Sequence, residues 1–210
     1  TGECCGGVPG LVEDNTGPVW SREDEARNQA IRDEVIKDRE KEADAFAAAG
    51  IQVVPVRYVM PDGSCSCPQG RECRNPGAHP AVSRFWEKAS CDRVQIRAWL
   101  RTDHLNHLGI VTGQATGVVG VLARGMLTGY ANSTGRECLE EIEAVHGPFQ
   151  TVRGYTGDGD VVLLFRHPGH NPIYGKQIAP GLEFYADKDI LPAPTSPNQR
   201  GRHGEWDVDA

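Results

Sequence analysis

His107-Leu-Gly-Ile-Val-Thr-Gly113, followed four residues later by Val118-Val-Gly-Val-Leu122, places two short β-branched runs on either side of a glycine-bounded turn. Each run is too short for a helix and rich in residues that fit a pleated surface, so both read as strands. Working back, residues 92–99 carry Val94, Ile96 and Trp99 among charges and read as a helix capped near Ser90 or Asp92. Ile51-Gln-Val-Val-Pro-Val56 is a further strand, released by Gly50 from a long helix over residues 21–49. Ser21 with Asp24 three positions on caps that helix, and Ala30, Ile31, Val35, Phe46 and Ala47 punctuate an otherwise charged segment. Its first half is polar enough to be a solvated arm or a face for a partner.

Working forward, residues 137–145 set Leu139, Ile142 and Val145 at helical spacing until Gly147-Pro148 stops them. Strands over 150–155 and 161–165 flank Gly157-Asp158-Gly159-Asp160, a hairpin turn. Strand candidates at 182–185 and 190–191 precede a polar Pro/Gly/Arg stretch, and no internal repeat is present. By itself the pattern supports a mixed domain of helices and strands.

At 210 residues the chain can bury a core without help from a metal. Residues 1–20, rich in Gly with Pro9 and Pro18, read as a flexible leader, 21–44 as a polar helical arm, and 45–210 as the main domain. A net charge of −7 gives no bulk attraction for nucleic acid. Any such surface has to be a patch, and Arg71, Arg74, Arg84, Lys88, Arg93, Arg97 and Arg101 make one stretch locally basic. No apolar run reaches membrane-spanning length and no basic-then-apolar leader opens the chain, which reads as soluble and as cut from something longer.

Cys65, Cys67, Cys73 and His79 fall within one loop, 65–80, in which Pro68, Gly70, Pro76 and Gly77 let the chain bend all four side chains inward. Three thiolates and an imidazole suit a tetrahedral structural zinc, which would hold the loop and leave no open position for chemistry. The plainer alternative is free or disulfide-bonded loop cysteines, but Cys65 and Cys67 are poorly placed for a mutual bridge. Of the seven cysteines, Cys4, Cys5, Cys91 and Cys138 remain, and the adjacent Cys4-Cys5 is a poor ordinary disulfide. This usage suits a reducing cytoplasm.

Several words then follow one another in a telling order. Ala45-Phe-Ala-Ala-Ala-Gly50-Ile-Gln-Val-Val-Pro55-Val56 leads to a cysteine loop closing in Gly77-Ala78-His79-Pro80. Phe85-Trp-Glu-Lys-Ala-Ser-Cys-Asp92, Gln95-Ile-Arg-Ala-Trp99, Leu108-Gly-Ile-Val-Thr-Gly113 and Thr151-Val-Arg153 come after it. Together they resemble the N-terminal domain of bifunctional DNA primase/polymerases, the prim-pol branch of the archaeo-eukaryotic primase superfamily, from about Ala45 to Trp206. The resemblance implies an α+β fold: an RRM-like antiparallel sheet backed by helices, with a small N-terminal α/β unit and an inserted zinc loop. It also implies a role in replication or a mobile element, DNA or nucleotides as partners, and a helicase domain in the same longer chain.

Members of that family perform two-metal nucleotidyl transfer with magnesium or manganese. The family's paired carboxylates match Ala123, Arg124 and Gly125 here, and its phosphate-contacting histidine matches Val162. Its late acidic residue matches Glu183, while Tyr185 stands where arginine is usual. Arg153, Arg84 and Lys88 are the positions carried over for nucleotide or DNA contact. Asp158 with Asp160, and Asp187 with Asp189, could supply relocated acids, although both pairs also suit turns. His167, His170 and His203 read as surface histidines, and Trp20, Trp86, Trp99 and Trp206 as core or lid residues before base-stacking platforms. Three functions compete: a domain with a degenerate catalytic motif that binds nucleotide or DNA or acts as a scaffold; an active primase-polymerase with relocated carboxylates; and a zinc-stabilised protein-interaction module.

Overall fold

The computed structural model describes residues 21–60, 62–74, 76–77, 79–102, 107–126, 134–170, 177–195 and 204–207. The predicted leader, Cys4, Cys5, Trp20 and His203 lie outside the described residues. The chain divides into two units, Thr1–Val35 and Ile36–Ala210.

Helix α1 (Arg22–Ala49) is built from Glu, Lys, Arg and Ala, which lose little side-chain freedom in a helix. It ends where Gly50 takes a left-handed φ of 67° and the Ile51 amide donates back to the Phe46 carbonyl at 2.9 Å. Its last turns bury Ala43 and Phe46. Strand β1 (Val53–Val56) follows, buried at all four positions. After it come the cysteine loop, with a 3-10 turn at Gly70–Glu72, then the short α2 (Phe85–Lys88) and α3 (Arg93–Thr102). Arg93 and Arg97 on α3 pair with Asp44, and Arg101 with Glu40, which fasten α3 to α1.

The remaining elements are β2 (His107–Val111), β3 (Val118–Ala123), α4 (Gly135–His146), β4 (Val152–Tyr155), β5 (Val161–Arg166), β6 (Gln177–Ala179), β7 (Leu182–Tyr185), β8 (Ile190–Pro192) and β9 (Glu205–Asp207). They form two sheets, a three-stranded β1-β2-β8 and a six-stranded β6-β7-β3-β5-β4-β9. Every strand pairing among the described residues is antiparallel. The architecture is therefore α+β.

Alternation along the strands of the larger sheet separates two cores. Leu122, Val162, Leu164 and Tyr185 on one face pack with Phe46, Ile96, Leu100, Leu108, Ile110 and Leu191. Ala123, Val161, Leu163 and Leu182 on the other face pack with Leu139 of α4. Helix α4 begins two residues before its predicted start because Thr134 and Glu137 form a capping box, each side chain bonding the other's amide. Strands β6 and β9 escaped the sequence reading. β9 sits in the polar tail and exists because Trp206 lies opposite Gly154, where a Cβ would come within 2.9 Å of the indole. The same indole meets the Phe46 ring edge-on at 6.1 Å.

Candidate functional site

Glu183 on β7 and Val162 on β5 both lie directly opposite Leu122 of β3. These three positions share a face, and the next β3-side position on that face is Arg124. Ala123 is opposite Val161 and Leu182, so it points to the α4 layer, where it is fully buried. The sequence aligns the family's carboxylate pair with Ala123 and Gly125; strand alternation puts Ala123 on the α4 face and leaves Leu122 and Arg124 on the face of Glu183. At Gly125 a Cβ would fall 2.5 Å from the Gly159 carbonyl oxygen, leaving no room for an acidic side chain.

Arg124 reaches across the strand ends. Its Nε donates to Glu183 Oε1 at 3.1 Å and its Nη2 to Glu183 Oε2 at 3.4 Å, while Nη1 donates to Asp160 Oδ2 at 3.3 Å. The other Asp160 oxygen accepts from the Gly125 amide at 2.8 Å, and Glu183 Oε2 also accepts from the Tyr185 hydroxyl at 2.8 Å. Burial alone would lower the Arg124 pKa, but Glu183, Tyr185 and Asp160 together raise it, so the guanidinium stays charged. Burial first, and then the bond to Glu183, push the Tyr185 phenol above its usual range, so it remains a donor. The result is one cation closed over two carboxylates. The sequence offers Asp160, with Asp158, both as a relocated acid and as a turn residue, and the structure brings Asp160 to Arg124. Its signal was positional, since it lies one residue before Val161 and so on Glu183's side of the sheet.

The cysteine loop is a second centre. Cys65 Sγ and Cys73 Sγ lie 3.3 and 3.4 Å from His79 Nε2, and the four donor atoms of Cys65, Cys67, Cys73 and His79 fall within 4.8 Å of one another. A tetrahedral zinc with bonds of about 2.3 Å to sulfur and about 2.0 Å to nitrogen needs sulfur–nitrogen edges of roughly 3.5 Å. The donor set fits, and the cluster could hold a metal such as zinc. Backbone bonds place it: the Cys65 amide donates to the Gly70 carbonyl, the Gly70 amide to the Cys67 carbonyl, and the Arg57 amide to the His79 carbonyl. Gly77, at φ 70°, passes so close to Val59 that a Cβ would lie 2.7 Å from its methyl. Burial raises the Cys67 thiol pKa, but the Gln69 amide and then Cys65, Cys73 and His79 outweigh it and hold the thiol at about 6. Thiolate is the form that ligates metal. None of the five described cysteines is in a disulfide.

The family of bifunctional DNA primase/polymerase N-terminal domains matches this chain over residues 43–210. The chain belongs to the prim-pol family. Comparison with curated proteins finds no match.

The prim-pol domain disperses the other positions read from the sequence. Arg153 lies opposite Leu163, on the face away from Glu183, and is ion-paired with Glu143 of α4. Arg84 and Lys88 are exposed at α2. Asp158 is exposed at the hairpin turn, whereas Asp160 is buried. Asp187 and Asp189 flank Lys188 in the turn from β7 to β8, whose backbone bonds to Thr112. No helix among the described residues is long and apolar enough to cross a membrane.

Proposed function

We propose that this prim-pol domain binds DNA or nucleotides, or acts as a scaffold, in a replication or mobile-element protein, without carrying out nucleotidyl transfer. One observation carries the reading: the Arg124 guanidinium occupies the space between Asp160 and Glu183. Two-metal transfer needs carboxylates that draw cations to the attacking and leaving oxygens. Here both acids are already ion-paired with one fixed positive charge, which offsets one of their two negative charges. Leu122 and Val162, apolar and buried on the same face, supply neither a ligand nor a phosphate donor. Without those groups most of the electrostatic stabilisation of phosphoryl transfer is missing.

The RRM-like arrangement expected of the family is supported by the central order β7-β3-β5-β4, with α4 between β3 and β4. In this reading the Cys65, Cys67, Cys73 and His79 cluster holds a structural zinc. Magnesium or manganese has a role only in an active enzyme, and a helicase in the same longer chain would tie even an inert domain to replication.

The active reading has its own supporting observation, because Asp160 joins Glu183 on one face as a relocated acid would. Primer extension with magnesium or manganese and all deoxynucleotides separates the two. Absence of extension together with salt-dependent DNA binding supports the binding reading. Extension that disappears in Glu183→Ala or Asp160→Ala overturns it. Absence of both extension and DNA binding turns the assignment to the zinc-stabilised protein module.

A further inference from the structure

Trp86 is 43% exposed, while Trp99 and Trp206 pack against the main core. It stands on α2, a helix of four residues none of which is buried. Phe85 anchors it by packing against the Val54, Val56 and Val111 cluster. The Phe85 ring meets Trp86 edge-to-face at 5.2 Å with planes at 80°, so the indole is held in place with one side in water. Immediately before it, Arg84 adopts φ 48° and ψ 52°, a left-handed conformation costly for a residue with a Cβ. That turn leaves the Arg84 side chain 71% exposed, in a solvent-facing ion pair with Glu87 at 3.4 Å that a phosphate could displace. Lys88 is exposed two positions beyond the indole.

We infer that Trp86 is a base-stacking platform for single-stranded nucleic acid, with Arg84 and Lys88 taking the phosphates on either side. An exposed, immobilised indole bracketed by two cations matches what single strands require: a flat π-face for a base and positive charge along the backbone. A purely apolar partner would not use the flanking charges, and Glu87 alone does not reverse their sign. The inference rests on the nucleic-acid-binding reading above and adds where the strand lies.

The test is fluorescence anisotropy with labelled oligothymidylate of about twenty nucleotides, with tryptophan emission recorded in the same titration. Wild-type protein binds and its emission is quenched. Trp86→Ala weakens binding by about tenfold or more, and Trp86→Phe restores most of it, because stacking needs the ring and not the indole N–H. Arg84→Ala with Lys88→Ala lowers the slope of log K against log salt by about 1.4, the loss of two single-strand phosphate contacts. Melting temperatures of the variants establish that they are folded. If the wild type binds and Trp86→Ala stays within about twofold of it, the platform is refuted while the DNA-binding reading stands. If the wild type does not bind, both fall and the exposed indole is left to a protein partner.

Discussion

Replacing Arg124 by Ala removes the side chain that is ion-paired with both Asp160 and Glu183. After the change Asp160 keeps the Gly125 amide and Glu183 keeps the Tyr185 hydroxyl, but the two carboxylates face each other without a cation. Breaking a fully buried ion pair by removing one partner costs about 3–5 kcal/mol. The Arg124 side chain is 35% exposed and each acid retains a donor, so roughly half of that, about 2 kcal/mol, is expected. For a domain of this size this corresponds to a fall in Tm of about 4–8 °C. The emptied space then offers two acids to a divalent cation. Manganese at about ten times its Kd would return about 1.4 kcal/mol to the variant, and nothing comparable to the wild type, where the guanidinium already fills the site. Thermal melts of both proteins with and without manganese give the result. A variant within about 0.5 kcal/mol of the wild type, or a wild type stabilised by manganese as much as the variant, would refute the view that Arg124 replaces a bound cation.

Protein purified without chelator should carry one zinc, and Cys73→Ser should lose it while hydrogen exchange quickens over the loop and stays slow in β3 and β5; zinc retained by the variant would refute the ligand set. Burial raises the Glu42 pKa despite hydrogen bonds from Thr195 and Trp206 and the Arg39 charge. The native state therefore takes up a proton more readily than the unfolded chain, so this stabilisation is full below the ordinary glutamate pKa and is lost as pH rises through the raised one. Acidification from pH 7 toward 5 should raise the Tm of the wild type relative to Glu42→Gln, and parallel pH profiles would refute the shift. Thr134→Ala should cost about 1 kcal/mol by removing the α4 cap, read as a lower denaturant midpoint at unchanged slope. Gly135→Ala should cost more, because its Cβ would lie 1.9 Å from the Gly181 carbonyl oxygen.

The cysteine cluster was legible because its ligands lie within fifteen residues and their chemistry does not depend on distant neighbours. The long helix, β2, β3 and β5 were legible for a related reason: period and glycine punctuation are local. The candidate site was legible only in part. Glu183 and Val162 were located by order along the chain, but which β3 residues accompany them depends on cross-strand register, and a shift of one residue moves a side chain to the other face. Register puts Ala123 on the α4 face and Leu122 on the face of Glu183. The sequence by itself determined that no carboxylate stands between Leu122 and Gly125. Only the tertiary structure decided that Arg124 closes over Asp160 and Glu183, that Arg153 is held by Glu143 on the opposite face, and that Trp206 returns to cover Phe46. The Arg124 partners lie 36 and 59 residues away, and a pairing over such distances is set by packing and burial, which no local pattern records.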